Sequence, residues 1–85
     1  MTTGTPVNRQ WVLVLQDGRI VIDWGDTLFQ DVRSGEFIRV NEHDISHRAT
    51  DEILDWLKRI NRVASYDSQV VYFFNLPERP QDTIQ

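Results

Sequence analysis

Cysteine is absent from this chain, and with it go disulfide staples and thiolate chemistry. Small secreted domains usually depend on such cross-links, so the absence points to a reducing, cytoplasmic setting. Basic residues are few: nine Lys and Arg stand against thirteen Asp and Glu, for a formal net charge of −4. Nucleic-acid binders draw most of their affinity from cations on phosphates, so that role is disfavoured, as is adhesion to an anionic membrane. No apolar run is long enough to span a bilayer. Residues 1–10 have neither the basic start nor the apolar stretch of a secretory leader. The four glycines are isolated, so there is no glycine-rich phosphate loop.

What is present suffices for one folded domain. Apolar residues make up 40% of the 85 and aromatics 11%, which favours a packed core over disorder. Asp17-Gly18 splits an apolar stretch into two strands, 10–16 and 19–24, and Asp-Gly between such runs is a strong hairpin signal. A two-residue loop sets Leu15 against Ile20, Leu13 against Ile22 and Trp11 against Trp24, giving one wholly apolar face. Val12, Val14 and Val21 then fall on the opposite face, beside Gln16, Arg19 and Asp23.

Gly25-Asp26 turns the chain into a second hairpin over residues 27–40, centred on Gly35. A two-residue loop there pairs Val32 with Phe37, and a three-residue loop pairs Leu28 with Val40. Residues 41–47 are polar and read as a connection. Thr50 is the expected N-cap of a helix over 50–64, with Asp51 and Glu52 in its first turn and Lys58, Arg59 and Arg62 toward its end. Ile53, Trp56, Leu57, Ile60, Val63 and Ala64 form its apolar stripe. Residues 69–74 read as a buried strand, dense in β-branched and aromatic side chains.

The expected fold is therefore α+β: an antiparallel sheet of about five strands, in the chain order β-β-β-β-α-β, with one helix on one face. Residues 1–9 read as a mobile arm, 10–76 as the domain and 77–85 as a mobile tail. The run Val21-Ile22-Asp23-Trp24-Gly25-Asp26 resembles, over those few residues, the small SH3-like barrels of chromatin- and ribosome-associated modules. The expected helix is longer than such barrels carry, and no family is assigned.

Three constellations bear on chemistry. His43 and His47 lie four apart, the spacing of helical zinc ligands, but Asp44 stands where that motif needs Glu, and the cap at Thr50 follows both. They are weak metal candidates, and no cofactor is expected. Asp23, Asp26 and Asp31 gather around Trp24-Gly25, where turn chemistry explains Asp and Gly better than glycoside hydrolysis does. Tyr72, Phe73 and Phe74 mimic the stacking strand of an RNA-binding sheet, yet no Lys or Arg lies within 65–76, which favours core packing.

One helix covers one sheet face, which leaves Val12, Val14 and Val21 without a partner on the expected register. The reading is a small non-enzymatic protein-interaction or regulatory module, acting through a sheet face or edge and an acidic surface. Its expected contacts are Val12, Val14, Val21, Asp23 and Asp26, with a protein partner or a second copy in a homodimer. The alternatives are a nucleic-acid-associated module using Lys58, Arg59 and Arg62, and a metal enzyme using His43 and His47.

Overall fold

A computed structural model describes residues 4–74; the expected tail at 77–85 lies outside the described residues. Among the described residues the architecture is α+β, with a five-stranded antiparallel sheet, a three-stranded sheet and one α-helix. The strands are β1 (Thr5–Asn8), β2 (Val12–Leu15), β3 (Ile20–Gly25), β4 (Leu28–Asp31), β5 (Phe37–Arg39), β6 (Ile45–Arg48), β7 (Val63–Tyr66) and β8 (Val70–Phe73), and the helix is α1 (Asp51–Arg59). The larger sheet runs β5-β4-β3-β2-β6 and the smaller one β1-β8-β7. No helix among the described residues is long and apolar enough to cross a membrane.

The first hairpin turns at Asp17-Gly18 but in a different register. Val12 pairs with Ile22, Leu13 with Val21 and Val14 with Ile20. The Leu15 N–H donates to Arg19 O at 2.8 Å and the Gly18 N–H to Leu15 O at 2.9 Å, so the loop holds Gln16, Asp17 and Gly18. Only Gly18 takes a positive φ, 93°, and Asp17 does not. A type I′ turn needs both; a tight turn closed by one left-handed glycine adds a residue to the loop. That single residue inverts the pairing of faces.

Val12, Val14, Ile20 and Ile22 consequently point together into the main core, with Leu54 and Leu57 of α1, Val63, and Val71 and Phe73 of β8. Val21 lies on the other face, with Leu15 and Phe29, under Leu13, Ile38, Val40 and Ile45. Both faces of the sheet are therefore covered: the helix and the small sheet take one, and side chains from the outer strands β5 and β6 close over the other. The expectation of an uncovered valine face fails for this reason.

The second hairpin takes neither expected register. Gln30 pairs with Phe37 and Leu28 with Arg39, leaving Val32, Arg33, Ser34 and Gly35 in the loop. Gly35 is left-handed at φ 80°, as a Gly35-centred turn requires. Val32 leaves the ladder because its side chain is buried and its N–H donates to Ile20 O at 3.0 Å.

Residues 45–47, expected in a connection, join Arg48 in β6 and pair with β2. Residues 5–8, expected in a mobile arm, pair with β8, and Val7 is buried between the layers. The final strand thus becomes the centre of its own small sheet rather than joining the larger one.

Thr50 caps α1 as expected, its Oγ1 accepting the Ile53 N–H at 3.3 Å. The helix is shorter than its apolar periodicity suggests. Asn61 enters the left-handed region at φ 61°, and the N–H groups of Asn61 and Arg62 donate to Lys58 O at 3.1 Å and Leu57 O at 2.8 Å. This paired arrangement satisfies the last carbonyls and ends the helix. Val63 and Ala64, placed in the stripe by spacing, belong to β7.

Candidate functional site

The residues proposed from sequence divide into three groups. Val12 and Val21 are wholly buried and Val14 is 7% exposed, so none can meet a partner in the folded protein. Asp23 and Asp26 serve the β3–β4 turn. Asp23 Oδ1 accepts the Gly25 N–H at 2.8 Å, while Asp26 (φ 54°) and Thr27 (φ 60°) form the turn itself. Arg39 Nη1 clasps it, donating to Asp26 O at 2.8 Å and Thr27 Oγ1 at 2.6 Å.

His43 lies in a 3-10 turn and His47 on β6, where its Nδ1 is 2.9 Å from Ser46 Oγ. Among the described residues no group of three or more His, Asp or Glu could hold a metal ion. The basic residues expected on one helix also separate. Lys58 of α1 lies over the Tyr66 ring at 5.8 Å, whereas Arg62, beyond the end of α1, lines a groove with the two hairpin loops.

Around Tyr66 a structural cluster ties β7 to α1. Its hydroxyl donates to Asp55 Oδ1 at 2.6 Å, and the Arg9 guanidinium stacks on its ring at 5.4 Å while pairing with Asp51. The bond to the Asp55 carboxylate favours the protonated phenol, holding its pKa above the ordinary 10.0.

Arg62 opens onto the feature that sequence reasoning missed. The first hairpin turn, the β4–β5 loop, Trp56 of α1 and Arg62 beyond its end line a groove of about 480 Å³. Trp56 forms its apolar wall. One position from Leu57, it falls beside rather than beneath the helix's buried face and stays 36% exposed. Arg33, delivered by the loop that Val32 anchors, lies over the indole with its Cζ 5.4 Å from the ring centroid.

Arg19 and Arg62 complete the cationic lining, which also holds Asp17 and Asp31. The carboxylates are engaged. Asp17 accepts the Arg19 N–H at 3.0 Å and pairs with Arg19 Nε at 2.8 Å. The backbone N–H of Arg19 holds the Asp17 carboxyl below its usual pKa, helped by the Arg19 side chain. Asp31 Oδ1 accepts the N–H groups of Arg33 at 2.8 Å and Ser34 at 3.1 Å.

A second depression, between β1 and the turn before β8, is lined by uncharged residues including Asn8, Gln10 and Gln69. The larger sheet ends in β5 and β6, strands of three and four residues, which are short templates for strand addition. The groove thus combines an exposed aromatic with converging guanidinium groups, the pairing that dominates protein-contact energetics. Comparison with protein-family models, curated proteins and solved structures gave no match.

Proposed function

We propose that this chain is a small non-enzymatic protein-interaction module of the cytoplasm, whose contact site is the groove at Trp56. The supporting observation is Trp56 itself, a large aromatic left 36% exposed with Arg33 across its ring. Trp and Arg are the residues most enriched among interface hot spots, because they bring large contact area and directional donors together. The groove takes over the role expected of the valine face, whose residues serve the core.

Selection of displayed random peptides on the intact protein, with Trp56→Ala as counter-target, tests the reading. Peptides enriched on the wild type should lose at least roughly tenfold in affinity on Trp56→Ala, the scale of one hot-spot residue. Binders indifferent to Trp56, or no binders at all, would count against it. Backbone amide spectra of the variant establish that it folds.

A further inference from the structure

We infer that the groove receives a peptide segment bearing a single carboxylate, held by Arg62 while an adjoining apolar side chain lies on Trp56. This rests on the interaction-module reading above and names the partner's chemistry.

The argument starts from which charges are already engaged. Arg19 is paired with Asp17 at 2.8 Å, and Arg33 holds its Cζ 5.4 Å from the Trp56 ring centroid. The Asp17 and Asp31 carboxylates accept backbone N–H groups of their own turns. The guanidinium of Arg62 has no hydrogen bond or ion pair among the described residues. Its backbone is nevertheless fixed on both sides: its N–H donates to Leu57 O at 2.8 Å, and its carbonyl accepts the Phe74 N–H at 2.8 Å. A planar five-donor fork on a fixed mount is suited to a carboxylate, which it can bind through two parallel bonds.

The local charge sets how many anionic groups fit. Three guanidinium groups against two carboxylates leave the groove with one net positive charge, on a chain whose formal charge is −4. A single acidic side chain neutralises that excess. A continuous phosphate backbone would instead bring further negative charge beside Asp17 and Asp31, which also line the groove and repel it. The indole supplies the apolar contact that a peptide side chain next to the acid would cover.

The test uses bead-bound nonapeptide libraries with Glu, Gln or Lys fixed at the centre and all other positions random, probed with the labelled full chain. The Glu library should outbind the Gln library by roughly tenfold or more, as expected for hydrogen bonds to a charged group. Arg62→Gln should erase that preference, Arg62→Lys should keep part of it, and Arg62→Glu should transfer it to the Lys library. All three variants are checked by thermal melting. Equal binding of the Glu and Gln libraries, still dependent on Trp56, overturns the carboxylate inference and leaves the module reading standing. Absence of binding in every library overturns both. Binding of single-stranded RNA with a steep salt dependence, and none of peptide, assigns the groove to nucleic acid and also overturns both.

Discussion

The indole Nε1 of Trp24 donates to Oε1 of Gln30 at 2.9 Å across the β3–β4 pair, and Gln30 Nε2 in turn donates to Gly35 O at 3.1 Å. Gln30 is the one fully buried polar side chain among the described core residues. Its bond to Gly35 ties the β4–β5 loop, which carries Arg33, to the sheet. Gln30→Leu should therefore destabilise by about 2 kcal/mol, because Trp24 Nε1 and Gly35 O each lose a partly buried hydrogen bond. Urea unfolding of Gln30→Leu, Trp24→Phe and the double variant should give a coupling of about 1 kcal/mol. Additive effects would mean that the pair contributes nothing of its own.

The β3–β4 turn invites a stabilising change. Asp26 and Thr27 occupy left-handed positions that Asn and Gly fill with less strain, and a β-branched residue there is the costlier of the two. Replacing the pair by Asn-Gly should raise stability by about 1 kcal/mol in denaturant melts. Arg39→Ala should then cost less in that background than in the wild type, since its Thr27 Oγ1 partner is gone.

Tyr66 gives an alkaline signature. Its folded pKa lies above that of the unfolded phenol, chiefly through the bond to Asp55. The folded state therefore holds the phenolic proton more tightly. The resulting stability is complete below the ordinary phenol range and declines as pH rises through the folded value. Asp55→Asn should move the Tyr66 titration, followed by its ring Cζ resonance, back toward 10.0. Tyr66→Phe should remove this part of the alkaline decline; a decline unchanged in that variant would assign it to other groups.

Val12→Ala separates core from contact surface. With no exposure to lose, it should cost about 2 kcal/mol through lost burial and a residual cavity. Peptide affinity measured well below its melting temperature should match that of the wild type. An affinity loss in the folded variant would return the valines to the interface.

How much of this was legible in the sequence depends on what each signal constrains. Asp17-Gly18 marked the turn correctly, because glycine is needed wherever the chain goes left-handed. It did not fix the register, since two loop lengths use the same pair of residues. The flanking run Val12-Leu13-Val14-Leu15 is apolar at every position, and a sheet covered on both faces has no alternation from which to read its phase. Thr50 was legible as a cap because capping is local, but helical spacing ran on through Val63 and Ala64 past the left-handed stop at Asn61. The groove left no mark of its own. Trp56 is a stripe residue by spacing, and its neighbours Arg19, Arg33 and Arg62 come from three separate segments that only the fold assembles.

The pairing of β1 with β8 has a mechanical consequence. Thr5 lies opposite Phe73 and Asn8 opposite Val70, so the two ends of the described chain are antiparallel neighbours. Tension applied between those ends loads the ladder one rung at a time, starting at Thr5 and Phe73, like a zip drawn open. A ladder pulled along its length would share the load among all its bonds. The small sheet should therefore part at low force and release Val7 from the core, while the five-stranded sheet, which lies outside the line of pull at first, stays whole.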